Sequence, residues 1–174
     1  YPLRRQRQMC IRDSLEVLKK EAKVKGLKGK SLRQYIKGPA YESADAPDNA
    51  YHDGAMTDLA IKVLQESRAA PFFMVVGYKK PHLPFVAPQK YWELYDYEGL
   101  TLPDNYFQSK GAPGIAQMTW GEMRSYSGIP NKGPVSDAVG RKLIQGYYAS
   151  VSFVDAQVGR LMAELKEQGL ADNT

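Results

Sequence analysis

The chain has 174 residues, of which 43% are hydrophobic and 25% charged, enough to build the core of one domain. No unbroken apolar run reaches the roughly 18 residues of a membrane helix, and the single cysteine, Cys10, excludes an internal disulfide. The net charge of +5 is uneven: residues 1–38 carry 12 Lys and Arg against Asp13, Glu16 and Glu21, a local +9, and the remainder stands at −4.

Residues 1–14 hold Arg4, Arg5, Arg7 and Arg12 without helical or strand periodicity or a signal-peptide apolar segment. They read as an extraneous leader, and the folded part is expected to span 15–174. Ser14 is placed to cap a helix reaching about Lys23, with Leu15, Leu18 and Ala22 on one stripe and Gly26 and Gly29 ending it. Lys19 to Lys37 then reads as a helix with a solvated basic face followed by a loop. A basic arm of this kind also fits a polyanion-binding module, which stands as a non-enzymatic alternative.

Residues 38–53 are rich in Pro, Asp and Ala and read as a loop. Asp53 is expected to cap a helix over about 54–68, where Met56, Leu59, Ala60, Val63 and Leu64 follow the 3.6-residue period. His52 then needs no role beyond that of a turn residue beside the cap.

Phe72 to Val76 are five consecutive apolar residues, the pattern of a strand buried on both faces of a parallel sheet. A helix followed by a strand is half of a doubly wound unit. Such sheets bind ligands beyond the carboxyl ends of their strands, where this chain places Lys79, Lys80, Pro81, His82, Leu83 and Pro84. If that segment is extended, Lys80 and His82, two residues apart, project to one side and bring an ammonium and an imidazole together as an anion site. The plainer reading is a solvated lysine loop with a hydrogen-bonded histidine.

Pro88 starts a predicted short helix carrying Tyr91, Trp92, Leu94 and Tyr95, aromatics that read as core, with sugar stacking as the alternative. Residues 101–135, with Pro103, Pro113, Pro130 and Pro134, form a long irregular stretch around Met118, Trp120 and Met123, a candidate for substrate selection. The last element is the clearest helix. Ser136 or Asp137 caps it, Val139, Leu143, Tyr147, Val151, Val154, Val158, Leu161 and Leu165 run along one face, and Gly169 suits an αL ending. Asp155, beside that stripe, reads as a solvated or loop-bonded residue.

Three stretches carry a family resemblance. Gly77 to Phe85, with Ala87 to Tyr95 behind it, is similar to a G-[YF]-x-K-P-H-[LI]-P-F element and its aromatic sequel. Gly146 to Leu161 looks like the helix before a metal-binding strand, and Gly38 to Glu42 with Tyr51 to Gly54 follows the same order. The chain resembles the sulfatases of the alkaline-phosphatase-like superfamily, in particular the iduronate-2-sulfatase branch. The resemblance implies an α/β fragment of such a domain, a mostly parallel sheet flanked by helices.

It also implies a sulfuric ester hydrolase acting on a sulfated glycan or related sulfate ester, with a formylglycine nucleophile and calcium. His82 matches the histidine that contacts the sulfate and assists departure of the alcohol, and Lys80 would add fixed positive charge. The C-x-P-x-R-type nucleophile motif is absent, since Cys10 lies in Met9-Cys10-Ile11-Arg12-Asp13-Ser14. The nucleophile and calcium ligands are therefore expected outside an internal fragment that is inactive alone. Neither nucleic acid nor a membrane span is expected, and the resemblance suggests a periplasmic, secreted or lysosomal-type compartment. A phosphatase or phosphodiesterase of the same superfamily is the enzymatic alternative.

Overall fold

The computed structural model describes residues 18–66, 71–105, 107, 109–116 and 121–174. Ser14, Leu15, Cys10, Met118, Trp120 and the four leader arginines lie outside those residues. The chain divides into two compact units, residues 1–40 with 105–135 and residues 41–104 with 136–174.

In the first unit, helical residues 18–24 (α1) precede α2, Gly29–Lys37. Gly26 and Gly29 adopt φ of +64° and +56° between them, conformations that cost glycine little and other residues more. The irregular stretch predicted beyond residue 101 is tied to α2 by side-chain bonds to its backbone. Gln34 donates to the Arg124 carbonyl at 2.7 Å and to Asn131 Oδ1 at 3.1 Å, and Arg124 donates to the carbonyls of Pro130 and Gly133. Ala22, Ala40, Tyr126 and Ile129 are buried.

The second unit is α/β. Strand β1 (Tyr41–Ala44) pairs in parallel with β2 (Phe85–Pro88), Tyr41 opposite Phe85 and Ala44 opposite Pro88. Between them run a 3₁₀ turn, Asp48–Ala50, and α3, His52–Glu66; α4 (Gln89–Trp92) follows β2, and α5 (Asp137–Glu167) closes the unit. Helix α5 packs on β2, α3, α4 and β1. The core is Ala87, Tyr91, Trp92, Ala149 and Phe153, flanked by Tyr41, Tyr51 and Ala156. Phe153 meets the rings of Tyr91 at 5.4 Å and Tyr51 at 5.9 Å, so Tyr91 and Trp92 are core as predicted, whereas Leu94 and Tyr95 lie beyond α4, Leu94 exposed and Tyr95 half-buried.

Several expected elements hold. Helix α3 covers the predicted segment to Glu66, residues 67 and 68 lying outside the described residues, Pro88 caps α4, the Ser136 hydroxyl accepts from the Val139 amide at the head of α5, and Gly169 has φ +69°. Other expectations are corrected. The loop read up to Lys37 holds helix α2, and the loop read over 38–53 holds β1, a strand fixed by its pairing with β2 and not by its own composition. Residues 72–78 do not form a doubly buried strand: no ladder partner is described for them, and Phe73 and Val75 are 92% and 78% exposed while Phe72, Met74, Val76 and Tyr78 are half-buried. The burial has a strand's period of two, without a second strand to bond to it or cover its other face.

Another correction concerns which face of α5 is inside. Tyr147, Val151 and Val158 of the predicted stripe are exposed, and the buried face is Gln145, Gly146, Ala149, Ser150, Phe153, Gln157 and Glu164. Close approach selects it. A Cβ on Gly146 would lie 2.6 Å from the Trp92 ring and 2.9 Å from Phe85 Cβ, so only glycine admits β2 and α4 at that distance. The glutamines bond rather than merely pack: Gln145 donates to the Tyr95 carbonyl at 2.8 Å, and Gln157 donates to Asp48 at 2.9 Å. Asp48 also accepts from Tyr91 Oη at 2.8 Å and pairs with Lys90 at 2.7 Å. Burial opposes ionisation of Asp48, but bonds from Lys90, Gln157 and Tyr91 outweigh it and hold its carboxyl below the usual range.

Candidate functional site

The segment joining the exposed apolar run to β2 is a tight turn. His82 N–H donates to the Lys79 carbonyl at 3.1 Å, and the Lys80–Pro81 and Leu83–Pro84 peptides are both cis. This corrects the extended geometry expected for Lys80 and His82. A turn closed between residues 79 and 82 does not leave alternate side chains on one side.

The ammonium of Lys80 folds back into the turn. It donates to the His82 carbonyl at 2.9 Å and to the Pro84 carbonyl. Burial, with the charge of neighbouring Lys79 adding to it and Asp53 opposing both, lowers its pKa to about 8. An ammonium carries three N–H donors. Two bind the loop's own backbone, and no other partner is described for the third.

His82 is exposed, with Nδ1 2.8 Å from the Leu83 carbonyl. A carbonyl only accepts, so the bond places a proton on Nδ1. The neutral ring then holds its lone pair on Nε2.

Asp53 anchors the turn. Its carboxylate is 2% exposed, accepts the backbone N–H of Lys79 at 3.0 Å and of Lys80 at 2.9 Å, and accepts from His52 Nδ1 at 3.0 Å. Burial acts against the charged form, but the Lys80 and Lys79 amides and His52 outweigh it and hold the carboxyl below its usual range. The first turn of α3, with its unpaired N–H groups, suits a negative charge. One turn on, buried Thr57 donates to the Asp53 carbonyl at 2.9 Å and meets Tyr78 Oη at 3.0 Å. The start of α3 thus grips the turn at residues 78, 79 and 80.

Sequence reasoning singled out Lys80 and His82 in one proline-braced segment, which it took to be extended, but missed the role of Asp53, which it took for a helix cap. A carboxylate 26 positions before its partners leaves no periodic trace. His52, read as a plain turn residue, is the third donor to Asp53, with its own side chain 68% exposed. Among the described residues, no group of three or more His, Cys, Asp or Glu side chains is placed to hold a metal ion, and none of the described helices is long and apolar enough to cross a membrane. The described residues do not fit a calcium site.

An α/β unit with a cation- and imidazole-bearing turn before a parallel strand is the setting into which the family comparison falls. The family model described as Sulfatase matches residues 14–174, and the chain belongs to the sulfatase family. It is 36% identical over 138 residues to iduronate 2-sulfatase of Homo sapiens and 35% identical over 139 residues to that of Mus musculus, in each case 75% of this chain and 25% of the relative. A sulfatase of Formosa agariphila is 29% identical over 128 residues, 73% of this chain and 25% of its own length. The chain spans about a quarter of the length of the curated relatives it matches.

Proposed function

We propose that the protein to which this chain belongs is a sulfuric ester hydrolase, and that its substrate is a sulfated glycan or a related sulfate ester. The observation that carries the reading is His82, solvent-accessible on an anchored turn, with Nδ1 committed to the Leu83 carbonyl, in a chain that matches the sulfatase family along 14–174. The similarity to iduronate 2-sulfatases supports a glycan substrate.

In this reading His82 is the catalytic residue that contacts the sulfate and, as an imidazolium with protons on both ring nitrogens, gives the Nε2 proton to the departing alcohol oxygen. Sulfate esters leave a poor alkoxide, and a positioned acid contributes roughly 10²–10⁴-fold. Lys80 is a substrate-binding residue whose remaining N–H and positive charge face developing anionic oxygens, where fixed charge needs no reorganisation. Asp53 holds the amides of both lysines so that neither group drifts. The nucleophile, a formylglycine by resemblance, and the ligands of calcium belong outside these 174 residues, and no step is assigned to either. Residues 1–14 are left outside the folded part in this proposal, and the Met123-containing stretch contributes to substrate selection.

The test is expression of the chain with its flanking coding sequence, assayed on 4-nitrophenyl sulfate, on sulfated disaccharides and on the matching phosphate esters. Sulfate release that falls about 100-fold or more in His82→Ala is expected. Preference for the phosphate ester would transfer the assignment to a phosphatase or phosphodiesterase of the superfamily, and full activity in His82→Ala would remove His82 from the mechanism.

A further inference from the structure

We propose that the face formed by α1 and α2 is a binding surface for an extended sulfated polysaccharide, separate from the turn at residues 78–84. The inference rests on the sulfatase reading for the choice of polyanion. Its basis is how the charges of residues 18–38 are disposed: seven lysines and Arg33 stand against Glu21 alone.

Glu21 acts on Lys25 and reaches it through Tyr35, whose hydroxyl raises the Lys25 pKa with Glu21 adding to it. Its carboxylate accepts the Tyr35 hydroxyl at 2.7 Å, and that hydroxyl in turn accepts from Lys25 at 3.0 Å. Lys37 is held by Ser125 Oγ at 2.6 Å and lies over the Tyr126 ring at 3.9 Å. Lys20, Lys23, Lys28, Lys30 and Arg33 have no acidic partner among the described residues, and all are exposed. On α2, Lys30, Arg33 and Lys37 recur at intervals of three and four, which places them on one helical face. Lys23 sits at the same interval from Lys19 and Lys20 on α1.

The surface also has a floor. Lys19 and Lys23 rim a concavity based on Leu27, Leu32 and Ile36. Aliphatic side chains beneath ammonium groups suit the C–H face of a sugar ring bearing sulfates at its edge. Binders of single-stranded nucleic acid instead stack bases on aromatic rings, and the nearby Tyr35 is engaged by Lys25. Clustered exposed cations gain affinity for a polyanion by releasing its condensed counterions, an effect that weakens steeply with salt.

The test is titration of the 174-residue chain with fluorescent dextran sulfate, unsulfated dextran and a DNA duplex at several salt concentrations. Lys30→Glu with Arg33→Glu is expected to weaken dextran sulfate binding at least tenfold and to flatten its salt dependence, while the charge-matched Lys62→Glu with Lys166→Glu changes it less than twofold. Deletion of residues 1–14 should leave most of the binding in place, unsulfated dextran should not bind, and the duplex should bind more weakly than dextran sulfate. Equal losses in the two charge-reversal variants, loss on deleting 1–14, or tighter binding of the duplex would each overturn the proposal. Binding that survives His82→Ala keeps the two readings apart: absent sulfatase activity with this binding intact overturns the function alone, and activity without this binding overturns the surface alone.

Discussion

The buried carboxylate of Asp53 accepts the main-chain N–H of Lys80 at 2.9 Å, joining the first turn of α3 to the turn before β2. The same carboxylate takes the Lys79 N–H, so one side chain satisfies two consecutive amides of the candidate site.

Truncating that anchor should be costly. Asp53→Ala leaves both amides without their acceptor, and hydrogen bonds to a charged group contribute about 1.5–3 kcal/mol each with strong non-additivity. A loss of about 3 kcal/mol in denaturant unfolding is expected, with Asp53→Asn intermediate. A change below about 1 kcal/mol in Asp53→Ala would show that the turn holds its shape without the carboxylate.

The same residue sets a pH dependence. Its folded-state pKa lies below the ordinary 3.8, so between those two values the unfolded chain binds the extra proton and folding weakens as pH falls. Its stabilisation is complete above the ordinary value and is lost on acidification through the depressed one. Asp48 is depressed in the same direction. Urea unfolding from pH 6 down to pH 2 should show a steeper decline in the native chain than in Asp53→Asn, and parallel curves would contradict it.

Lys80 should titrate apart from the other lysines. With its pKa at about 8 rather than 10.5, the folded chain holds fewer protons than the unfolded between those values, so this group's contribution to stability rises with pH across the window. Its positive charge fades over the same range, and affinity of the turn for sulfate should fall as pH passes 8. In a pH series of lysine side-chain NMR signals, one resonance is expected to move near pH 8 and to be missing from Lys80→Met. A full set of lysines titrating together near 10.5 would refute the buried placement.

Gly146→Ala tests the packing of α5. The added methyl meets the Trp92 ring and Phe85 Cβ at distances below ordinary contact, and overpacking of this kind costs about 1–3 kcal/mol. Thermal unfolding of Gly146→Ala beside Gly159→Ala is the comparison, because a Cβ at Gly159 meets nothing within 4 Å. A lower Tm is expected only for the first.

The 174-residue chain by itself should not turn over 4-nitrophenyl sulfate, since it contains no C-x-P-x-R-type nucleophile motif. Detectable turnover, reproduced in His82→Ala and in a Cys10→Ala variant, would mean that the chemistry proceeds through other residues.

Local signals in the sequence were enough to determine the existence of α3 and α5, the Ser136 cap, the Gly169 ending, the core role of Tyr91 and Trp92, and the proline-braced segment that carries Lys80 and His82, though not its turn. Periodicity, capping and proline placement act over a few residues, and so they are legible without a fold. Tertiary structure decided the rest. Which face of α5 lies inside depends on a backbone approach at Gly146 that hydrophobicity does not record, and β1 and β2 exist as strands because each supplies the other's ladder, whereas Phe72 to Val76, with stronger strand composition, has no described partner. The grip of Asp53 on the lysine amides likewise arises only when α3 is laid beside the turn, because a hydrogen bond between distant segments is a property of their packing and not of either segment alone.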